Sequence, residues 1–356
     1  MTSSSSTPPD WVRQRLASGL VIPAHPLALT PAGRLDERRQ RALTRYYHAA
    51  GAGGLAVGVH TTQFAIREPQ HGLFRPVLEL ASETVSACDA AIGRQMVRIA
   101  GICGETAQAV SEAAIAREFG YHVGLVSPGA LRDWSEDRVL EHCRLVGREL
   151  PLFGFYLQPA VGGRRLSRDF WTRFAALPCV LGIKIAPFNR YQTLDVLRGV
   201  ADSGRAGDVA LYTGNDDHIL LDLLSTWHAP GDGRELRIVG GLLGHWACWT
   251  RTAVDHWERC QRTVREGAVP SALHSLALEV TDANAAIFDA ANGYAGCIAG
   301  IHEVLRRQGL LEGTRCLDPA ESLSPGQAEE LDRIQRCYPH LNDDAFVAEH
   351  LARWMQ

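Results

Sequence analysis

Cys179-Val180-Leu181-Gly182-Ile183-Lys184-Ile185-Ala186-Pro187 holds the only lysine of the chain: of the 36 Lys and Arg residues among 356, 35 are arginine. Lysine is ordinarily among the commonest residues, yet this sequence meets every other need for a basic side chain of that kind with guanidinium and keeps its one ε-amine inside an apolar run. The two cations permit different chemistry. A guanidinium stays protonated, whereas an amine among apolar groups can lose its proton and attack a carbonyl to form a Schiff base. Apolar residues flank Lys184 on both sides and Pro187 closes the run, so the stretch reads as a buried parallel strand with the amine near its C-terminal end. In an α/β barrel that end is the catalytic face. The plain alternative is a lysine kept by chance or reaching to the rim; the cost of desolvating an amine favours the nucleophile.

Working outward from this strand, apolar runs predict seven more, at 19–24, 53–60, 96–102, 121–126, 151–157, 208–213 and 236–243. Helical patterns lie between them: over 36–50 with Asp36 as its cap, 76–92, 106–119, 135–147, one opened by Ser167, and 191–201. Eight alternations over residues 18–265, with no linker inside them, predict the α/β class and a single (β/α)8 TIM barrel rather than two domains. From Val269 onward the apolar spacing is helical, through Leu273, Leu276, Leu278 and Val280 and again through Leu331, Ile334 and Leu341. Residues 266–356 are therefore expected to form a C-terminal helical extension used in packing and assembly. Residues 1–17 read as an N-terminal tail, a disordered Ser/Thr/Pro run followed by a short helical lead.

Composition narrows the function classes. With 46% hydrophobic residues, 21% charged and a net charge of −4, the chain reads as soluble and globular, with no electrostatic bias toward nucleic acid or an anionic membrane. Nine cysteines without a C-x-x-C pair suggest reduced thiols in a cytoplasmic protein. The opening has neither a basic nor an apolar leader segment, and no run reaches membrane-spanning length.

Side chains just past the strand C-termini share one face of a barrel. The candidates collected there are Thr61, Thr62, Tyr156, Lys184, Gly214, Asp216, Asp217 and His245. Tyr156 ends the strand before that of Lys184, where a phenol could pass the protons that Schiff-base chemistry requires, or could equally be a core tyrosine. Thr61 and Thr62 offer hydroxyls and backbone N–H groups to a small carboxylate. In Gly214-Asn215-Asp216-Asp217 two carboxylates are acceptors available to hydroxyl groups, though one of them is expected to cap a helix. His245 could touch substrate. Gly51-Ala52-Gly53-Gly54 precedes a strand, the reverse of what a dinucleotide loop needs. The 14 histidines show no H-x-H or H-E-x-x-H spacing, and His60 with His245 make only two possible metal ligands. Trp246 and Trp249 read as packing for the helical extension.

Together, Thr61-Thr62 after the second strand, Tyr156 with Pro159 and Gly162-Gly163 behind it, Gly182-Ile183-Lys184, and the early Thr30-Pro31-Ala32-Gly33-Arg34-Leu35-Asp36 resemble the dihydrodipicolinate synthase/N-acetylneuraminate lyase family over most of residues 18–320. The resemblance implies a (β/α)8 barrel with a helical extension, usually tetrameric, and class I aldolase or dehydratase chemistry on pyruvate or 2-keto acids. By the match, Lys184 would form the imine, Tyr156 would be the proton shuttle, and Thr61-Thr62 would hold the carboxylate. No cofactor and no metal are implied.

The chain departs from the family at several places. The Gly-Thr-Thr-Gly-Glu segment is His60-Thr61-Thr62-Gln63-Phe64, the Tyr-Asn pair is Tyr156-Leu157, and Ser127-Pro128-Gly129-Ala130 replaces the paired tyrosines. The arginine for an aldehyde partner's carboxylate falls at Val161, which argues against dihydrodipicolinate synthesis and leaves the sialate lyase pattern nearer. The expectation is a cytoplasmic Schiff-base lyase acting on pyruvate or a 2-keto-3-deoxy acid, a homo-oligomer (dimer or tetramer) without nucleic-acid or membrane partners. A metal-dependent aldolase or hydrolase, and a non-catalytic small-molecule-binding relative, are the alternatives.

Overall fold

The structure is a computed structural model and describes residues 8–230 and 233–356. The Ser/Thr run of the expected tail, and residues 231 and 232, lie outside the described residues.

After a helix Asp10–Ser18, strands and helices alternate in the expected order: β1 (Val21–Pro23), helix Glu37–Ala50, β2 (Gly54–Val57), helix Phe74–Ile92, β3 (Val97–Ile102), helix Thr106–Glu118, β4 (Val123–Val126) and helix Glu136–Val146. They continue with β5 (Leu152–Leu157), helix Arg168–Ala175, β6 (Val180–Ala186), helix Arg190–Asp202, β7 (Ala210–Thr213), helix Ile219–Leu224, β8 (Thr226–His228), β9 (Glu235–Leu243) and helix Thr250–Glu266. The short β8 only folds back antiparallel on β9. The other eight strands and their helices form a (β/α)8 barrel, and helices Ser271–Ile287, Cys297–Arg307, Gln327–Cys337 and Asp344–Trp354 form the C-terminal extension. Helix starts follow their caps: Asp36, Ser135, Ser167 and Asn189 each accept from the backbone N–H three residues on, each typically worth about 1 kcal/mol. Among the described residues no helix is long and apolar enough to cross a membrane.

The chain divides into two compact units. The first contains residues 97–215 and 222–241, where β9, β7, β6, β5, β4 and β3 lie side by side, successive neighbours running parallel. Its packing sets large side chains against glycines. Phe153 lies opposite Gly182, where a Cβ would come within 2.5 Å of the ring. Tyr212 lies opposite Gly240, where a Cβ would fall 2.7 Å from the phenol ring. On the other face of β5, Gly154 makes room for Phe174, which a Cβ would approach to 2.6 Å.

The second unit contains residues 21–96, 216–221 and 242–356. There Asp343 binds the extension to the helices around it. Its carboxylate accepts from the Tyr46 hydroxyl at 2.7 Å, the Arg251 backbone N–H at 2.9 Å and the Gln308 amide at 2.8 Å. Tyr46 in turn accepts from the backbone N–H of Thr250 at 2.7 Å. The Asp343 carboxylate, the Tyr46 hydroxyl and the Arg251 and Thr250 N–H groups are thereby supplied with partners, as buried polar groups require, while Gln308 Oε1 has none.

Candidate active site

Lys184 is 8% exposed, on a strand whose seven residues are all buried. It pairs with Phe155 on β5 and Tyr212 on β7. Side chains alternate along a strand, and residues in register on parallel neighbours project to the same face, so Phe155, Lys184 and Tyr212 stand side by side. The Lys184 side-chain nitrogen, Nζ, lies 4.3 Å from the centroid of the Phe155 ring. Tyr212 turns its phenol elsewhere, donating to the Leu16 carbonyl at 2.9 Å, and burial raises its pKa. At the end of β7, Gly214 has no Cβ because one there would lie 2.6 Å from Lys184 Cε and 2.7 Å from Ala186 Cβ. The glycine expected in a hydroxyl-binding turn therefore makes the path for the lysine stem.

Behind this strand end lies a hydrogen-bonded cluster. The buried carboxylate of Asp222 accepts from Thr213 Oγ1 at 2.6 Å, from Asn215 Nδ2 at 3.0 Å and from the Arg190 guanidinium. Asn215 uses its other amide atom to accept from the Phe188 backbone N–H at 3.0 Å. Phe188 has φ of 50°, a left-handed conformation that costs a bulky residue energy and persists where neighbours impose it. Asn215 and Asp222 thus fix the turn that leaves the lysine strand.

Tyr156 departs from expectation. It pairs with Ile185, one register position beyond Lys184, and so projects to the opposite face of β5. There its ring packs on Trp171 with centroids 5.0 Å apart, and its hydroxyl lies 3.4 Å from the backbone of Leu166. Burial raises its pKa. The aromatic residue beside Lys184 is Phe155, which has no hydroxyl, and the phenol expected there as proton shuttle lies on the other face of β5.

In the second unit, Thr61 and Thr62 sit on the 3-10 turn His60–Thr62 that follows β2. They are not equivalent. The Thr62 hydroxyl accepts from the backbone N–H groups of Gly58 and Val59 at 3.0 and 3.3 Å and donates to the His25 carbonyl at 2.6 Å. The Thr61 hydroxyl is buried without a hydrogen-bond partner, the condition of a group that awaits one. Next to it Gln63 has φ of 69°, in the place of a family glycine, and its Oε1 accepts from the Leu317 backbone N–H at 2.6 Å.

Asp216 and His245 are brought together in the same unit: the Asp216 carboxylate accepts from the His245 backbone N–H at 2.9 Å. The His245 ring, 3.3 Å from Asn284 Nδ2, has its pKa pushed down to about 4, chiefly by burial and in smaller part by its coupling to His256, and is neutral at physiological pH. A Cβ on the preceding Gly244 would lie 3.5 Å from Thr61 Cγ2, so Thr61 neighbours this turn. Asp217 is tied through its carbonyl, which accepts from Thr281 Oγ1 at 3.0 Å. Phe155, Asn215, Asp222 and Gln63, which the structure sets at these strand ends and turns, are not among the candidates the sequence singles out. Asn215 and Gln63 were signalled only as parts of motifs, and Phe155 and Asp222 carry no local signature.

No protein-family model matches the chain, and no curated protein sequence does. Solved structures do. Dihydrodipicolinate synthase from Oceanobacillus iheyensis superposes with a TM-score of 0.71 at 17% identity, over 92% of this chain and 98% of its own. The Escherichia coli K12 prophage protein YagE, of the dihydrodipicolinic acid synthase family and in complex with pyruvate, gives 0.72 at 18% identity over 90% and 98%. N-acetylneuraminate lyase from Fusobacterium nucleatum, complexed with pyruvate, gives 0.68 at 16% identity over 91% and 98%. What this chain shares with these members of the dihydrodipicolinate synthase/N-acetylneuraminate lyase family is the barrel with its helical extension.

Proposed function

We propose that the protein is a divergent class I lyase of this family, forming a Schiff base between Lys184 and the ketone of pyruvate or a 2-keto-3-deoxy acid. The observation that carries the proposal is the sole lysine of the chain, buried on β6 with its amine on an aromatic face and its stem passing a glycine. The neutral amine adds to the ketone carbon, water leaves, and the resulting iminium draws electrons from the bond that breaks, either C–C in aldol cleavage or C–H ahead of loss of water. Thr61, with its buried unpartnered hydroxyl, is the donor for the substrate carboxylate, and Thr62 holds the turn that presents it. Asp216, Asp217 and His245 belong to the hydroxyl-recognition part of the same reading. Assembly as a homo-oligomer and a cytoplasmic location are likewise proposals, drawn from the resemblance and from the free thiols.

A second reading is supported by a specific observation. With Phe155 beside the amine and the Tyr156 hydroxyl at the Leu166 backbone, the centre lacks the phenol expected to move protons, as a small-molecule-binding relative would. Intact-mass spectrometry after incubation with pyruvate and borohydride separates the two. A reduced pyruvyl adduct on the wild type, absent from Lys184→Ala and Lys184→Arg, is the expected result. No adduct with pyruvate or with a panel of longer 2-keto acids would sink the lyase reading in favour of the binding protein.

A further inference from the structure

We propose that Phe155 is a catalytic contact of the Lys184 centre, its ring face holding the positive charge of the lysine nitrogen both before and after imine formation; this rests on the lyase reading above. The geometry is that of a cation on an aromatic quadrupole: Nζ stands 4.3 Å from the ring centroid, inside the roughly 6 Å over which the attraction acts. Both partners are desolvated, Phe155 being 4% and Lys184 8% exposed, and desolvation is where this attraction is largest.

The contact is also built into the fold. Strand pairing puts Phe155 and Lys184 at the same level on neighbouring strands. The bare Gly214 lets the lysine stem pass, because a Cβ there would fall 2.6 Å from Cε. The other cross-strand neighbour, Tyr212, directs its phenol to Leu16.

The charge balance explains what the ring does. An ammonium and a ketone give an iminium and water, so the nitrogen carries one positive charge at each end of the step and is neutral only while it attacks. A phenol would offer that centre a proton, whereas a benzene ring offers a fixed negative face and takes no part in proton transfer. Phe155 therefore favours the charged forms, and the protons shed and taken up during water loss pass to groups other than this ring.

The single lysine makes the test direct. Protein grown on lysine labelled with 13C at Cε gives one lysine resonance, whose pH titration reads Nζ alone. Three replacements are compared with wild type: Phe155→Leu, Phe155→Trp, and pentafluorophenylalanine at 155, which keeps the ring shape while reversing its quadrupole. The expected result is a midpoint lowered by roughly 0.7 to 1.5 pH units for Leu and pentafluorophenylalanine, a five- to thirtyfold loss of preference for the ammonium, and retained for Trp. At a pH above the midpoint, the yield of borohydride-trapped pyruvyl adduct should fall by a similar factor. Leu and pentafluorophenylalanine proteins that titrate like wild type would overturn the proposal. A wild type whose midpoint responds as expected but that traps no 2-keto acid overturns the lyase reading, while the hold of Phe155 on the charge stands.

Discussion

Lys184 on β6 and Asp222 on helix Ile219–Leu224 are ionisable side chains buried to similar depth, 8% and 4% exposed, and their surroundings differ. Asp222 collects a threonine hydroxyl, an asparagine amide and an arginine. Lys184 has its nitrogen over the Phe155 ring and its stem against Gly214. A carboxylate supplied with so many donors is committed to its place, and what it secures is the turn through Asn215 and Phe188. The Lys184 nitrogen rests over an aromatic face, a contact that neither gives nor takes a proton. On the lyase reading proposed above, the first group serves construction and the second reaction.

Removing the committed group should have the largest effect on stability. Asp222→Ala removes the acceptor of the Thr213 hydroxyl, leaves Asn215 Nδ2 with only its 3.4 Å bond to Thr193 Oγ1, and breaks the ion pair with Arg190. Because Arg190 is 37% exposed and its charge can be partly resolvated, the expected loss is about 3 kcal/mol, the low end for a broken buried pair, read from urea unfolding. A loss well under 1 kcal/mol would show that the cluster is ornamental. Gly214→Ala comes next. The added methyl collides with the lysine stem and Ala186, costing roughly 1–3 kcal/mol, and displaces the amine enough to slow adduct formation on the order of tenfold or more. An unchanged trapping rate in a folded Gly214→Ala protein would break the link between this glycine and the lysine. Tyr156→Phe should do least. Its hydroxyl has only 3.4 Å contacts to the Leu166 backbone, so stability should fall by less than about 1 kcal/mol, with adduct yield and its pH profile unchanged. A collapse of trapping in this variant would restore Tyr156 to the reaction.

The uneven legibility of the sequence follows from the same chemistry. Asp36, Ser135 and Ser167 act as caps because a short oxygen-bearing side chain before an amphipathic run has few other uses, and they show in the sequence. Lys184 stood out by scarcity alone. The face occupied by Phe155 did not show, because Leu152–Leu157 is buried on both sides and so lacks the alternation that tells one face from the other. The register also shifts between Leu152 and Phe153. A resemblance of order and spacing then selected Tyr156, while the strand pairing selects the residue before it. Helix Ile219–Leu224 and strand Thr226–His228 went unforeseen because six and three residues are too few to display a period. The inequality of Thr61 and Thr62 depends on the His25 carbonyl, 37 residues away for the Thr62 bond, which local sequence does not reveal.

The burial of the sole lysine has a further consequence for the outside of the molecule. Arginine supplies all 35 of the other Lys or Arg side chains, and a guanidinium is a poor nucleophile that keeps its proton throughout the physiological range. Reactive aldehydes, acyl donors and other electrophiles that modify lysine-rich surfaces meet no ε-amine there. Apart from the chain terminus, this protein presents carbonyl compounds with a single amine address, and that address is indoors.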